Sequence, residues 1–222
     1  MKKTGRVLIT ALGLLPITIT LALFSLFPDE VPRSYNLFME VERWGSKYEL
    51  LIFPILVVLY GAFMYYLFYK SDENNLKAIL SATAGSLVVI NIVNVKFLSN
   101  TYSIIYDTRN TLTSETIFIK VLLISISLLF LLIGIYLPKS KQNIMIGVRT
   151  KWTLSSEEVW QETHNLAGKL LIIFSVLSIF VSLLITDPDD MILVYLYFAL
   201  LVIPMITVGI YSYIIYKKHK ND

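Results

Sequence analysis

The feature that most constrains this chain is a set of six long stretches without a charged side chain. Each stretch has 17 to 26 residues. A helix that rises about 1.5 Å per residue needs roughly 20 residues to cross the hydrocarbon core of a bilayer. The pattern therefore predicts six transmembrane helices. The stretches are residues 7–27, 50–69, 78–95, 121–137, 170–186 and 191–216.

The composition supports an all-α integral membrane protein. Only 16 % of the residues are charged and 56 % are hydrophobic, whereas soluble domains contain about 25 % charged residues. Continuous apolar runs do not have the alternating pattern of a transmembrane barrel, and an open sheet cannot cross lipid. The first run is longer than the core of a secretory signal, which predicts an uncleaved first span. We therefore expect one bundle of six helices, in which Pro16 and Pro204 each remove a backbone hydrogen bond and kink or loosen their helices.

The distribution of basic residues predicts the orientation. Six spans place both termini on one side, and that side holds 13 of the 19 lysine and arginine residues. Cytoplasmic loops are enriched in lysine and arginine. Both termini should therefore be cytoplasmic, and residues 28–49 and 101–110 should face outward. Four aromatic residues of the first outer loop suit the headgroup level, and a turn is expected at Gly45 and Ser46. These aromatic residues are Tyr35, Phe38, Trp44 and Tyr48.

The third and fourth spans contain a few polar side chains. Asn91 and Asn94 lie on one helix face and can bond to neighbouring helices. Lys96 and Lys120 flank the outer ends and can extend to the interface. No aspartate or glutamate interrupts a predicted span, which is unlike a proton relay.

One polar segment, residues 144–169, stands apart from the apolar remainder and is called the inner segment. Ser155 with Glu158 has the spacing of a capping box, which predicts a short amphipathic helix before the fifth span. Trp152 and Trp160 are expected to be its interfacial anchors. Trp160, His164 and Ala167 share one face of this helix, and Val159, Thr163 and Leu166 share another.

Two further features of the inner segment concern its backbone and its arginine. Gly147 permits a close backbone approach. The planar fork of Arg149 can hold Glu157, Glu158 or Glu162, and a lipid phosphate is the alternative partner.

The segment "IGVRTKWTLSSEEVWQETHNLAGKL" closely resembles the signature of the SdpI family of bacterial membrane immunity proteins. The stretch "LFPDEVPRSYNLFMEVERWGSKYELLIFPI" is similar to the N-terminal membrane domain that commonly precedes it. The resemblance implies an N-terminal domain, residues 1–70, and an SdpI-like domain, residues 71–222. It runs through Gly147, Arg149, Thr150, Trp152, Thr153, Leu154, Ser155, Glu158, Trp160 and His164.

The resemblance implies a multi-pass protein of the bacterial plasma membrane that protects its cell against a secreted toxic peptide. It also implies contact with membrane lipids and, as in the best-known family system, retention of a cytoplasmic transcriptional repressor once toxin is present. Direct contact with nucleic acid, a cofactor and a metal are not expected. The implied binding residues are Gly147, Arg149, Thr150, Trp152, Thr153, Ser155, Glu158, Trp160 and His164.

Other functional classes fit the sequence less well. A CAAX-type membrane protease needs an arginine where Glu162 stands and histidines within later spans. A metal site at His164 would have only Glu157 and Glu162 as further ligands. No nucleophile elbow supports a serine hydrolase, and a chain without cysteine has no cysteine nucleophile. A small transporter or channel, and a membrane sensor without a protective role, remain as alternatives to the non-enzymatic immunity protein.

Overall fold

The computed structural model describes residues 2–35, 41–106, 108, 112–143, 145–187 and 189–221. Within these residues, six helices are long enough and apolar enough to cross a membrane, which confirms the predicted spans. The longest helices have 30 and 31 residues and extend past the uncharged stretches. The helices are α1 Lys2–Leu23, α2 Ile52–Lys70, α3 Leu76–Ile105, α4 Leu112–Tyr136, α5 Glu157–Leu184 and α6 Met191–Asn221.

The helices form two groups that meet at α3 and α4. Helices α1, α2 and α3 pack on one another, α4 packs on α5, and α5 packs on α6. The first group encloses a buried cluster made by Ile9, Val57, Phe68, Leu76, Ile79 and Leu87. The second group encloses two smaller clusters around Leu123 with Tyr197 and around Leu171 with Val208. Large apolar side chains cover much of the outer surface, as expected for a surface in contact with lipid.

The start of α1 and the last turns of α6 lie at the same end of the bundle. The Nζ atom of Lys2 donates to the carbonyl oxygen of Ser71, 3.2 Å away. At the other terminus, Nε2 of His219 lies 2.9 Å from Oε1 of Glu162. We call this the inner end, because the positive-inside rule assigns it to the cytoplasm. Its assignment to that compartment stays a prediction.

Helix α1 continues through Pro16, and a side chain of α3 replaces the bond that this proline removes. Proline has no backbone N–H, so the carbonyl oxygen four residues earlier loses its helical donor. That carbonyl belongs to Leu12, and Nδ2 of Asn91 donates to it across 3.0 Å. Asn91 therefore bonds to a neighbouring helix as predicted. Asn94 is fully buried, yet neither of its side-chain polar atoms has a partner among the described residues, so the prediction is wrong for Asn94.

The first outer loop forms a β-hairpin, which the sequence did not predict. Strand β1, Glu30–Tyr35, pairs antiparallel with β2, Val41–Ser46. The expected turn at Gly45 and Ser46 is wrong, because both residues lie in β2. A two-stranded hairpin is marginal by itself in water. Here Val31 and Phe27 are buried in a cluster with Leu50 and Leu98, which attaches the hairpin to α3.

Two ion pairs hold the base of the hairpin. Nζ of Lys47 lies 2.8 Å from Oδ1 of Asp29, and Nε of Arg33 lies 2.8 Å from Oε2 of Glu49. The hydrogen bond from Lys47 and its positive charge lower the pKa of Asp29 below the usual value. Trp44 and Tyr48 are exposed, in keeping with the predicted aromatic belt. Phe38 and the side chain of Tyr35 lie outside the described residues.

Candidate functional site

The start of α5 organises the inner segment. Ser156 is the N-cap residue, and its Oγ accepts a hydrogen bond from the amide of Val159 across 3.4 Å. The predicted capping box at Ser155 is therefore wrong by one residue. The hydroxyl of Ser155 instead donates to the carbonyl oxygen of Trp152, 2.8 Å away. Ser155 and Ser156 are both suitable N-cap residues. The backbone of the preceding turn engages Ser155, so Ser156 takes the N-cap position.

The predicted short amphipathic helix is the first part of the fifth span. Helix α5 continues for 28 residues from Glu157 to Leu184, so its start and its span form one element. The two predicted faces merge into one broad buried surface, with Leu166 half-buried at its edge. This surface comprises Val159, Trp160, Thr163, His164, Ala167 and Gly168.

Trp160 lies at the centre of the site. It is fully buried, and its Nε1 donates to the carbonyl oxygen of Ser140 across 3.0 Å. Its ring stacks on the ring of His164, with centroids 3.9 Å apart and an angle of 21° between the planes. The prediction that Trp160 is an interfacial anchor is wrong. A buried partner for the indole N–H allows the whole side chain to be a core residue.

His164 binds the backbone on both sides of its ring. Nε2 lies 3.0 Å from the amide nitrogen of Val148 and accepts its hydrogen bond. Nδ1 lies 2.7 Å from the carbonyl oxygen of Trp160, so Nδ1 must carry the proton and donate. This arrangement requires the neutral imidazole. Across the described residues, no group of three or more metal-ligating side chains is placed to hold an ion.

Gly147 makes the contact between His164 and Val148 possible. Its φ of 119° lies in a region that favours glycine. A Cβ atom at this position would collide with Nε2 of His164 and would lie 3.1 Å from Cη2 of Trp160. The backbone can therefore approach the histidine ring only because residue 147 has no side chain.

A buried threonine holds the next turn of the inner segment. Oγ1 of Thr153 donates to the carbonyl oxygen of Val148 across 2.7 Å and accepts from the amide of Thr150 across 2.9 Å. The amide of Thr153 donates to Oγ1 of Thr150 across 3.2 Å. Gln142 donates to the carbonyl oxygen of Thr153 across 2.9 Å. Thr153 is fully buried, so losing its hydroxyl would leave several polar groups without partners.

Trp152 attaches the inner segment to α6. Its Nε1 donates to Oγ of Ser212 across 2.7 Å. Its ring lies beside Tyr213 and Tyr216, with centroid distances of 5.2 and 6.4 Å. Trp152 is half-buried, so only part of it is available to the interface for which it was predicted.

The opposite side of the inner segment contacts the first helix group. Oδ1 of Asn143 accepts from the amides of Met145 and Ile146, each 2.8 Å away. These two side chains pack against the buried cluster that contains Phe68 and Leu76. The inner segment therefore connects α1–α3 to α5 and α6 at the inner end. We call this connection, made through Met145, Ile146, Trp152 and Trp160, the inner clamp. The motif-based prediction missed Asn143, although asparagine two residues before a turn is a recognisable signal.

The nine predicted binding residues fall into three classes of exposure. Thr153, Trp160 and His164 are buried. Gly147, Thr150 and Trp152 are half-buried, whereas Arg149, Ser155 and Glu158 are exposed. A macromolecular partner can reach the last three directly, while the others shape the backbone beneath them.

Two glutamates at the start of α5 contact the end of α6. His219 lies 2.9 Å from Oε1 of Glu162 and 3.5 Å from Oε2 of Glu158. This contact holds the end of α6 against the start of α5. The pairing of Arg149 with one of the glutamates or with a lipid phosphate stays a prediction.

A second polar site lies near the outer end, between α1, α3 and α4. Nζ of Lys96 is 2.5 Å from Oε1 of Glu115 and 5.2 Å from the centroid of the Phe118 ring. The side chain of Lys96 is only 12 % exposed, so it does not extend freely to the interface as predicted. Beside this pair is a cavity of about 510 Å³, the outer groove. Its lining includes Leu12, Ile19, Val88, Val95, Ser99 and Val121.

The six apolar helices and the buried inner clamp define a multi-pass helical protein of the cell membrane. Residues 139–212 match the model of the SdpI/YfhL protein family. The chain is 25 % identical over 203 residues to the Immunity protein SdpI of Bacillus subtilis (strain 168). The aligned residues cover 90 % of this chain and 89 % of that protein. The similarity to this immunity protein therefore extends well beyond the region that the family model matches. No solved structure matches the chain.

The family match includes the parts that form the clamp. It begins at Lys139, just before the carbonyl group that binds Trp160, and ends at Ser212, the partner of Trp152. The hydrogen bonds of Trp160 with Ser140 and of Trp152 with Ser212 therefore lie inside the matched region, whereas the contacts made by His219 lie beyond it. The contacts of Met145 and Ile146 with α1–α3 extend outside it.

Proposed function

We propose that this protein is a membrane immunity protein that protects its cell against a secreted toxic peptide, without catalysing a reaction. The similarity to an immunity protein supports this proposal, because it extends over 90 % of the chain. An alignment of this length includes both the first outer loop and the inner segment. Protection by binding requires a surface that the peptide can reach and a stable scaffold behind it.

The outer end offers two such surfaces. Trp44 in the hairpin is 50 % exposed and Tyr48, two residues after the hairpin, is 66 % exposed. Aromatic side chains of this kind suit the headgroup region. The outer groove is largely apolar and lies between helices that face lipid. A peptide that enters the membrane from outside would meet these surfaces first. We therefore propose the outer end as the side that receives the peptide.

The observation that carries the proposal is the clamp at the inner end. Met145 and Ile146 lie against α1–α3, while Trp152 lies against α6. Any rearrangement between the two helix groups would therefore move the backbone of the inner segment. Arg149, Ser155 and Glu158 are exposed on that backbone. This connection supports a second role, in which the inner end retains a cytoplasmic repressor while the outer end engages the peptide.

Survival measurements test the protective role. The gene is expressed in a sensitive strain that is challenged with the secreted peptide encoded beside it. The wild-type protein should raise survival, and the double change Arg149→Ala with Glu158→Ala should reduce it without lowering the amount of protein in the membrane. The matched control is Lys141→Ala with Glu73→Ala, which also removes one exposed charge of each sign. Equal survival with and without the wild-type protein would contradict the proposal.

Repressor retention is tested separately from protection. A fluorescent fusion of the repressor encoded nearby should move to the membrane when peptide is added. Loss of this movement in the Arg149→Ala, Glu158→Ala protein, with survival unchanged, would assign the exposed residues to signalling alone. Loss of survival with movement unchanged would assign them to protection alone.

The partly buried ion pair of Lys96 and Glu115 favours one second candidate, a small transporter. Ionisable groups within membrane helices commonly mark ion or substrate sites. Flux of ions into proteoliposomes should be abolished by Lys96→Met if the protein is a carrier. An absence of flux in the wild-type protein, with protection intact, would leave the immunity function alone.

A further inference from the structure

We propose that α1 and α2 form a binding site for an anionic phospholipid of the inner leaflet, independent of the toxin-related function. The site has two parts. A polar cavity of about 310 Å³, the basic recess, lies at the inner end. An apolar cavity of about 260 Å³, the inner groove, lies between the same two helices closer to the middle of the bundle.

The basic recess concentrates positive charge. Its lining contains Lys2 and Arg6 from α1 and Lys70 from α2, with Phe68 and Tyr69 between them. None of these three cations forms an ion pair with a described residue. Like charges around one cavity repel one another, and an anion placed between them relieves this repulsion.

The close packing of α1 on α2 produces the recess. Gly5 is buried against the ring of Phe68, and a Cβ atom there would collide with that ring. The absence of a side chain on Gly5 lets the first turn of α1 lie directly on the end of α2. Nζ of Lys2 also donates to the carbonyl oxygen of Ser71 across 3.2 Å. These contacts bring cations from two helices to one place.

The inner groove continues the recess on the same helix faces. Along α1, the recess residues Lys2 and Arg6 are followed by the groove residues Ile9 and Gly13, at spacings of four, three and four. Residues at these spacings share one helix face. The path from Arg6 to Gly13 is about 10 Å long at 1.5 Å per residue.

Helix α2 repeats the pattern in the opposite direction. From Tyr69 in the recess, the groove residues Tyr65, Ala62 and Val58 follow at spacings of four, three and four. Gly61 and Gly13 form the floor of the groove, where a Cβ on Gly61 would lie 3.1 Å from Cα of Gly13. The groove is therefore a shallow apolar channel that opens toward lipid.

The order of charged and apolar side chains along the site indicates which ligand fits it. Cations lie at the level where the spans end, since α1 begins at Lys2 and α2 ends at Lys70. Apolar side chains follow toward the membrane interior. A phospholipid with net negative charge has the same order, a phosphate above an acyl chain. The fork of Arg6 can bind two phosphate oxygens, and the two lysines add charge.

The test uses the purified full-length protein in detergent, with lipid binding measured by native mass spectrometry. The probes are dioleoyl phosphatidylglycerol, dioleoyl phosphatidylcholine with the same chains but no net charge, and glycerol 3-phosphate with the anionic head but no chains. Phosphatidylglycerol should bind at least about tenfold more tightly than phosphatidylcholine, and glycerol 3-phosphate should not bind in the same range.

Variants locate the site. Arg6→Gln with Lys70→Gln should weaken phosphatidylglycerol binding about thirtyfold, since each basic residue near the surface contributes to the attraction. Lys77→Gln with Lys141→Gln removes the same charge elsewhere at the inner end and should change affinity less than about twofold. Ala62→Leu should narrow the inner groove and weaken binding while all charges remain.

Three results would overturn the proposal. Equal binding of both lipids by the wild-type protein would show that charge does not select the ligand. Equal losses in the two charge-removing variants would show attraction by net charge alone. Binding of glycerol 3-phosphate as tight as that of the lipid would assign the recess to a free anion. If the Arg6→Gln, Lys70→Gln protein fails to fold, Arg6→Lys replaces it, because it keeps the charge but removes the fork and should still weaken binding.

Discussion

The side-chain amide of Asn91 donates to the carbonyl oxygen of Leu12, 3.0 Å away on another helix. Pro16 removes the N–H that this carbonyl would otherwise receive. The asparagine and the proline thus form one unit, although 75 positions separate them in the sequence.

This relationship predicts a specific coupling. Asn91→Leu should lower the free energy of unfolding by about 1 kcal/mol, because the Leu12 carbonyl loses its donor. In a Pro16→Ala background the amide at position 16 can donate instead, so the same change should cost less than half as much. Unfolding in mixed micelles, followed by circular dichroism, measures the four proteins of this cycle. Equal costs in both backgrounds would contradict the compensation.

The surroundings of Gly147 lead to a second prediction, which concerns the stability of the Gly147→Ala protein. Gly147→Ala introduces a side chain against His164 and Trp160 and strains a φ of 119°. We expect a loss of about 2 kcal/mol or more in stability, because strain and steric overlap add to the loss of the bond from Val148.

The matched control for Gly147→Ala is Gly209→Ala. An added Cβ on Gly209 meets nothing within 4 Å, and alanine is the better helix former. This change should be neutral or slightly stabilising. Thermal unfolding in detergent measures both proteins, and comparable midpoints would show that the contact of residue 147 with His164 is not required.

The ion pair of Lys96 and Glu115 predicts that removing Lys96 alone lowers stability more than removing both partners. Lys96→Met leaves the carboxylate of Glu115, which is 39 % exposed, without its partner and should destabilise the protein by about 1 kcal/mol. Adding Glu115→Leu removes the unpaired charge and should restore part of that stability. Unfolding in mixed micelles distinguishes the proteins. A double variant less stable than Lys96→Met alone would show that the carboxylate has another role.

The orientation of the bundle is testable because the chain has no cysteine. Single cysteines are introduced by Glu42→Cys in β2 and Ser155→Cys in the inner segment, both at exposed positions. A membrane-impermeant maleimide added to intact cells should label the first protein only. After permeabilisation it should label both. Labelling of the second protein in intact cells would reverse the assignment of the inner end.

The sequence predicted the spans and the identity of the inner segment, for a local reason. Transfer of about 20 apolar residues into lipid is favourable for each helix by itself, so no distant contact is needed to specify it. The family signature was readable for a similar reason, since it occupies one continuous stretch. Division of the chain at residue 70 stays a prediction.

The sequence could not assign each polar side chain to the surface or the core. Trp152 and Trp160 are both amphipathic and equally suited to an interface. Trp160 is buried because the carbonyl oxygen of Ser140, 20 positions earlier, accepts its hydrogen bond. Trp152 instead finds Ser212, 60 positions later. These partners come together only when α4, α5 and α6 have packed.

Sequence alone therefore determined how often this chain crosses the membrane, and tertiary structure decided what its polar residues do there. The hydrophobic effect acts on each apolar stretch separately, and its sum can be read along the chain. Hydrogen bonds and steric contacts depend on ångström-scale distances between residues that are far apart in sequence. Gly147 beside His164 and Asn91 beside Leu12 could be established only once the helices were placed together.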